Sequence, residues 1–167
     1  MDIIIRAATM DDVPAIAQIH NESWWAAYRD IFPPEVIRGF SLERRIEQWS
    51  GILAGGSSAV HIALMGGEVV GFASARMAAG RDDHPAGEIS ALYVAPDHWR
   101  RGVGRRLLEA AVDSLSAAGF SEATLWVLRD NAPARAFYVH EGWVPDGIEQ
   151  VLGDTDVVEV RYRRHLT

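Results

Sequence analysis

The spacing of apolar and polar residues in the first forty positions predicts a strand followed by a helix. Ile3–Ala7 is a short run rich in β-branched residues, which favours a strand. Thr9 is suited to cap a helix that continues to about residue 27, with acidic residues in its first turn. Pro33 and Pro34 then break the chain.

A second helix and a hairpin are predicted next. Ser41 can cap a helix whose apolar residues recur at helical spacing around Trp49. Two β-rich runs, Ala59–Met65 and Glu68–Met77, flank a Gly-Gly pair. This pair between two such runs is a strong signal for a two-residue hairpin loop.

Strands and helices alternate in the second half. Residues 88–94 would form a strand that is largely apolar on both faces, which is typical of a central strand. The other predicted elements are a helix over 102–118, a strand over 123–127, a helix between Asn131 and Gly142, and strands over 143–149 and 157–164. The order β-α-α-β-β-β-α-β-α-β-β predicts one mixed α/β domain over residues 1–167, with ligand sites expected at its later β-to-α passages.

Composition excludes several kinds of chemistry. The chain has no cysteine, and all 16 basic residues are arginine, which excludes disulfides, thiolate nucleophiles and lysine Schiff bases. The six histidines lack the spacing of a metal site, so we expect no metal. A net charge of −7 argues against nucleic-acid and acidic-membrane partners. The first residues indicate neither a signal peptide nor a membrane span, so we expect a cytoplasmic protein.

The segment after residues 88–94 has the composition of an anion site. Gly102 and Gly104 open the next helix, and glycine lets the backbone approach a ligand closely. The N–H groups at a helix start bind anions. Four arginines around this turn would repel the helix dipole unless a polyanion binds there: Arg100, Arg101, Arg105 and Arg106. The alternative is a tight turn with solvated arginines.

A later helix carries a candidate tyrosine. Asn131, Ala134 and Tyr138 are spaced i, i+3 and i+7, so they share one helical face. Tyr138 could therefore present its hydroxyl to a ligand held by the preceding helix. The alternative is that Tyr138 and its neighbour Phe137 are core residues only.

These two segments resemble motifs A and B of the GCN5-related N-acetyltransferases, the GNAT superfamily. The family's Gln/Arg-x-x-Gly-x-Gly/Ala turn, which holds the coenzyme A pyrophosphate, is matched from Trp99 to Gly104, with Trp99 in place of Gln or Arg. Its Asn-x-x-Ala-x-x-Phe-Tyr-x-x-x-Gly-Phe pattern is matched from Asn131 to Trp143, with Trp143 in place of the final Phe. The resemblance implies the GNAT fold, a central mixed and mostly antiparallel sheet with two splayed parallel strands, flanked by helices.

The resemblance also implies an acyltransferase in which an amine attacks the thioester of acetyl-CoA directly. Tyr138 corresponds to the family tyrosine that protonates the departing thiolate, and Glu88 to a general-base glutamate, for which a water relay or an already neutral amine is the alternative. By strand periodicity, Glu88 is expected to share a face with Ser90, Leu92 and Val94. The residues implied to bind acetyl-CoA are Leu92, Tyr93, Val94, Arg100, Arg101, Gly102, Val103, Gly104, Arg105, Asn131, Ala134 and Phe137.

The acceptor side is less defined. Trp24, Trp25 and Tyr28 match the region that closes the acceptor site in this family, although such residues are also common in cores. Asp82 and Asp83 could attract a cationic amine or simply be solvated. We expect a small primary amine, such as an amino acid, a polyamine, an aminoglycoside-like or a xenobiotic amine. The alternatives are a protein N-terminal or lysine acetyltransferase and a non-catalytic acetyl-CoA sensor, and a homodimer, common in the family, is left open.

Overall fold

A computed structural model of the chain describes residues 1–78 and 85–167. Its strands are β1 (Ile3–Ala7), β2 (Ala59–Met65), β3 (Glu68–Met77), β4 (Gly87–Val94), β5 (Glu122–Leu128), β6 (Val144–Val151) and β7 (Val158–His165). Its helices are α1 (Val13–Tyr28), α2 (Pro34–Arg38), α3 (Leu42–Gly55), α4 (Val103–Ala117) and α5 (Ala132–His140). Asp82 and Asp83 lie outside the described residues.

The strands form one sheet in the order β1-β2-β3-β4-β5-β7-β6. Neighbouring strands are antiparallel except for β4 and β5, which are parallel. The mixed α/β class and the central position of the strand at 88–94 are therefore confirmed.

Apolar side chains cover both faces of this sheet. On one face, α4 contributes Leu107, Leu108 and Leu115 to a core that also contains Leu125 and Tyr162. On the other face, α1 and α3 pack against β2 and β3 around Ile16, Trp49 and Phe72. Burial of these two faces is the main stabilising contribution, because apolar area removed from water is worth about 25 cal/mol per Å².

Most predicted elements occur where the pattern placed them. The bounds of β1, β2 and β3 agree with the prediction, and Gly66 and Gly67 both have positive φ, as their hairpin loop requires. Ser41 caps α3 by accepting a hydrogen bond from the Arg44 backbone N–H at 3.2 Å. The helix α2 was not predicted, because Pro33 and Pro34 were interpreted only as a break. A proline in the first turn is in fact compatible with a helix start, since its missing N–H would have no intrahelical partner there.

No helix in the described part of the chain is both long and apolar enough to cross a membrane.

Candidate active site

The sheet opens between β4 and β5. Their parallel ladder comprises three residue pairs, from Gly87 with Ala123 to Ile89 with Leu125. Beyond these pairs the backbone of β4 diverges from β5. The Ala95 N–H donates to Val70 O of β3 at 2.8 Å. Because the backbone groups of successive strand residues point to opposite sides, those of Leu92 and Val94 point away from β3, towards the opening. Such edges can pair with an extended ligand.

A β-bulge at Ser90 accompanies the opening. Ser74 of β3 pairs with Ala91 and Ala75 pairs with Ile89, which leaves Ser90 as the extra residue of β4. The Ser90 hydroxyl donates to Ser74 O at 3.1 Å. A bulge bends the strand that carries it and increases its twist, and this explains why β4 leaves β5 after Ile89.

The bulge overturns the predicted face of Glu88. Ile89 and Leu92 both pack on the α4 face, whereas Ala91 and Tyr93 pack on the face of α1 and α3. Glu88 therefore shares a face with Tyr93 and not with Leu92 or Val94. The prediction from a strict period of two was wrong, because the extra residue exchanges the two faces beyond it.

Glu88 is a nearly buried carboxylate, 8% exposed, that is paired with an arginine. Both Arg76 Nε and Nη2 contact its Oε1, at 3.1 and 3.0 Å. The Arg76 side chain is half exposed, so this ion pair is in contact with water. No hydrogen bond or ring contact joins Glu88 to Tyr138 within residues 1–78 and 85–167.

The turn before α4 has the backbone geometry of an anion site. Gly102 has a φ of 81°, which glycine adopts without the strain of a side chain. As the N-cap it offers no side-chain acceptor, so the N–H groups of the first turn of this 15-residue helix remain available for a ligand. Arg100 also has a positive φ, of 60°, and its side chain and that of Arg101 are exposed. This turn fits the pyrophosphate that the GNAT resemblance implies.

The predicted arginines differ in their partners. Arg105 Nε contacts Glu109 Oε1 at 3.1 Å and Glu141 Oε2 at 3.7 Å. Two carboxylates thus already neutralise this guanidinium. Arg100 and Arg101 are accordingly better candidates for contact with an anion than Arg105.

α5 packs against the start of α4. Asn131 caps α5 by accepting a hydrogen bond from the Ala134 N–H at 3.3 Å. A Cβ at Gly104 would lie 3.7 Å from Phe137 and 3.8 Å from Val94. The glycine turn, the Asn131–Tyr138 segment and the free end of β4 therefore meet at one place, as the two sequence motifs indicated.

Tyr138 is half buried at this junction. Its ring packs near Phe137, Trp143 and Tyr162, with centroids 5.2, 6.4 and 6.4 Å away. Burial raises the pKa of the Tyr138 hydroxyl well above its usual value of 10, and the neighbouring Tyr93 raises it further. Tyr138 therefore stays protonated at neutral pH, so its hydroxyl is able to donate a hydrogen bond.

Tyr93 links Tyr138 to the aromatic segment of α1. The Trp24 Nε1–H donates to the Tyr93 hydroxyl at 3.1 Å. Burial and the nearby hydroxyls of Tyr93 and Tyr138 raise the pKa of Tyr28 well above 10. The family resemblance named Tyr93 only as an acetyl-CoA contact. Its hydroxyl in addition accepts from Trp24 and raises the pKa of Tyr138.

The predicted acceptor residues surround a recess. Trp24 and Trp25 line it together with Asn21, Ile37, Arg38 and Phe40, and its volume is about 210 Å³. Trp24 contacts Tyr28 at a centroid distance of 4.8 Å and stacks on Phe32 at 5.1 Å. Trp24 therefore belongs both to this aromatic cluster and to the recess, whereas Tyr28 packs against Trp24 and does not line the recess.

Two arginines at this recess were not predicted: Arg38, which is exposed and lines it, and Arg45, which is buried beside it. Arg45 of α3 is 5% exposed, and its guanidinium carbon lies 4.4 Å from the Phe40 ring and 5.5 Å from the Trp24 ring. Arg45 lies four residues before Trp49, which was predicted to lie on the apolar face of this helix and is buried. Since residues at i and i+4 share a helical face, this spacing was the available signal that Arg45 faces the core.

Comparison with known proteins agrees with this geometry. The chain matches the Acetyltransferase (GNAT) family over residues 16–143, which include the turn at Gly102, the strand β4 and the helix α5. The chain belongs to this family. The GNAT fold class and the acyltransferase activity expected from the two motifs are therefore confirmed.

Two GNAT relatives align with most of the chain. An uncharacterised N-acetyltransferase of Bacillus subtilis is 30% identical over 137 residues, which cover 81% of this chain and 77% of the relative. A spermidine N(1)-acetyltransferase of Thermoplasma acidophilum is 25% identical over 167 residues, covering 97% of this chain and 99% of that protein.

A solved GNAT structure has the same fold. The PaiA N-acetyltransferase of Thermoplasma acidophilum in complex with coenzyme A superposes with a TM-score of 0.78 at 22% identity, over 99% of both chains. Together these findings make the protein an acetyl-CoA-dependent N-acetyltransferase of the GNAT family.

Proposed function

We propose that this GNAT enzyme acetylates the primary amine of a small molecule. The observation that carries this proposal is the recess of about 210 Å³ bounded by α1, α2 and the loop before α3. Its volume is below the 300–1,000 Å³ or so typical of drug-sized ligand sites. It suits a molecule of a few heavy atoms better than a peptide segment. The Thermoplasma relative, named for the small amine spermidine, supports the same class of acceptor.

The acetyl-CoA side of the proposal uses the opening between β4 and β5. The backbone groups of Leu92 and the N–H of Val94 are the candidate partners for the extended pantetheine arm. The Val94 carbonyl is already occupied, because it accepts hydrogen bonds from Ser23 Oγ at 3.0 Å and from Trp99 Nε1 at 2.7 Å. The turn at Gly102 and Gly104, with Val103, Arg100 and Arg101, is the candidate pyrophosphate site. Bound acetyl-CoA supplies the activated acetyl thioester.

Two side chains would move the protons of the reaction. The acceptor amine must lose a proton before it attacks, and Glu88 is the proposed base, acting through water because Arg76 occupies its Oε1. The amine nitrogen then bonds to the acetyl carbon as the carbon–sulfur bond breaks. Tyr138, kept protonated by burial, donates its proton to the departing sulfur. The nitrogen loses its second proton to water as the amide forms, water returns a proton to Tyr138, and Glu88 releases the first proton to solvent.

The proposal is tested by following thiol release from acetyl-CoA with a panel of acceptors. Small primary amines should be acetylated, and peptides with a free N-terminus or a lysine should react more slowly. Faster reaction with peptides would instead indicate a protein acetyltransferase.

A binding measurement separates enzyme from sensor. Acetyl-CoA at about 100 times its Kd should stabilise the protein by about 2.7 kcal/mol, a shift of several degrees in Tm, while ATP and NAD at the same concentration should not. Such a shift without thiol release for any amine would favour a sensor and contradict the proposed activity.

A further inference from the structure

Arg45 is a buried arginine that forms no ion pair with any residue in 1–78 or 85–167. Its Nε donates to Asn21 Oδ1 and its Nη1 to Gln48 Oε1, both at 3.3 Å, and both acceptors are neutral amides. Its Nη2 is buried and has no hydrogen-bond partner within the described residues. A donor of this side chain is thus left free.

The groups around Arg45 do not balance its charge. Burial lowers the pKa of Arg45, yet a guanidinium remains protonated at neutral pH. Burial, together with the charge of Arg45, lowers the pKa of His20 to about 3, so that this histidine is neutral. Burial also keeps the Tyr93 hydroxyl protonated by raising its pKa. Buried charges in proteins are normally paired, because an isolated one loses its hydration without compensation.

The position of Arg45 relates it to the proposed acceptor site. Asn21, which accepts its Nε–H, lines the recess, as do Trp24 and Phe40, whose rings lie next to the guanidinium. The Tyr93 hydroxyl acts electrostatically on both Arg45 and Tyr138. The guanidinium therefore lies directly beside the recess that is proposed to receive the acceptor.

We infer that Arg45 binds a carboxylate of the acceptor, so that the enzyme acetylates molecules of amino-acid type. The inference rests on the proposed function and names its substrate class. A carboxylate would supply the missing counter-ion and accept from the free Nη2, and arginine is well suited to such planar pairs. The aromatic and aliphatic lining of the recess would receive the apolar part of the acceptor.

Two structural consequences follow. Phe40 covers the guanidinium and is 37% exposed, so its ring is the side chain that must move when the carboxylate binds. A second ammonium group in the same place would meet Arg45 with a like charge. Diamines and polyamines should therefore be poorer acceptors than amino acids of similar size.

The test compares amino acids with their carboxamides, for example leucine with leucinamide and phenylalanine with phenylalaninamide. Each pair keeps the amine and removes the carboxylate. The wild-type enzyme should favour the acid in kcat/KM by about 10- to 100-fold, the range expected for a charge-assisted hydrogen bond. The amine of the amide is the less basic of the two, so this preference cannot arise from a larger neutral fraction.

Variants at Arg45 and at its neighbour Arg44 then show which residue causes the preference for the acid. Arg45→Gln should remove the preference, mainly by raising KM for the acid, while kcat/KM for the amide and KM for acetyl-CoA stay within about twofold. Arg44→Gln, at an exposed position of the same helix, should keep the preference. Melting temperatures show whether each variant is folded.

Four outcomes overturn the inference. A wild-type enzyme that prefers amides, or that treats acid and amide alike, contradicts it even if Arg45→Gln does not fold. An equal loss for acid and amide in a folded Arg45→Gln variant indicates a structural role only. If no amine leads to thiol release, the proposed function is wrong and this inference with it. If only amines that lack a carboxylate are acetylated, this inference is wrong and the proposed function stands.

Discussion

At the scale of single residues, the environment of Tyr138 decides what its hydroxyl can do. A phenol in water is about half ionised near pH 10, but the packed rings around Tyr138 disfavour the phenolate. Its proton is thus retained over the whole physiological range. The neutral hydroxyl is therefore available to donate to negative charge that develops close to it, such as the charge on the sulfur of a departing thiolate.

Replacement of this hydroxyl should affect chemistry and not binding. Tyr138→Phe keeps the ring in its packing site, so we expect kcat to fall by about 10²- to 10⁴-fold, the usual contribution of a general acid. KM for acetyl-CoA should change by less than about threefold. Initial rates of thiol release measure both.

Tyr162 provides the matched control. It is buried, its ring lies 6.4 Å from that of Tyr138, and its hydroxyl accepts a hydrogen bond from Arg135 Nε at 3.0 Å. Tyr162→Phe should cost about 1–3 kcal/mol of stability and leave kcat nearly unchanged. Equal effects of the two variants on kcat would show that Tyr138 acts only in packing.

The role of Glu88 is tested by pH. Glu88→Gln keeps the side-chain volume but cannot accept the proton, so kcat/KM for the amine should fall most at neutral pH. The loss should shrink towards pH 10, because the amine then loses its proton without help. Glu109→Gln, at an exposed position of α4, is the control, and a loss from Glu88→Gln that is constant with pH would remove Glu88 as the base.

At the scale of elements, close approach between the sheet and α4 positions the turn at Gly102. A Cβ at Gly71 of β3 would lie 2.9 Å from Leu107 Cδ1 and 3.0 Å from Tyr93 O. The second of these neighbours is backbone and cannot move aside alone. The absence of a side chain at Gly71 therefore lets α4 lie against β3 and β4 with its first turn at the opening of the sheet.

Two glycine-to-alanine variants should have opposite effects for this reason. Gly71→Ala should destabilise the protein by about 1–3 kcal/mol through overpacking. Gly51→Ala, within α3, meets nothing within 4 Å and should stabilise it by up to about 1 kcal/mol, since alanine is the better helix former. Denaturant unfolding measures both, and a Gly71→Ala variant as stable as the wild type would contradict the close approach.

At the scale of the whole molecule, buried histidines couple stability to pH. His20 is buried in the core between α1, α3 and the sheet, where its Nδ1 accepts a hydrogen bond from Trp49 Nε1 at 3.0 Å. Its pKa is about 3 in the folded protein and about 6.5 when exposed. Burial lowers the pKa of His61 as well.

The protein should therefore lose stability as the pH falls below 6.5. Between about pH 3 and pH 6.5, His20 binds a proton in the unfolded chain but not in the folded chain, so a fall in pH favours unfolding. Above pH 6.5, neutral His20 makes its full contribution to the stability of the folded protein. A decrease from pH 6.5 to 5 should remove about 2 kcal/mol through this one residue. Urea unfolding at a series of pH values measures the slope.

His20→Gln identifies the source of this slope. Glutamine can still accept from Trp49 but does not titrate, so the dependence on pH should become shallower. Parallel curves for the wild type and His20→Gln would assign the pH dependence to other groups.

The sequence by itself determined the features that depend on neighbours along the chain. Alternation and the Gly66-Gly67 pair gave the β2–β3 hairpin, helical spacing and caps gave α1, α3, α4 and α5, and two motifs placed Gly102 and Tyr138 on consecutive helices. Local geometry fixes such features, because caps, turns and periodicity act over a few residues. A helix such as α2, in contrast, carries too few residues for a periodic signal.

Only the tertiary structure decided which side chains meet. The bulge at Ser90 moved Glu88 to the face of Tyr93, and a strict period of two could not reveal this, because the extra residue is defined by pairing with a distant strand. Contacts across the fold likewise placed Arg45 of α3 beside residues of α1, with no acidic partner in the part of the chain that the structure describes. Charge balance inside a protein depends on distances between elements that are remote in sequence, and those distances exist only once the chain is folded.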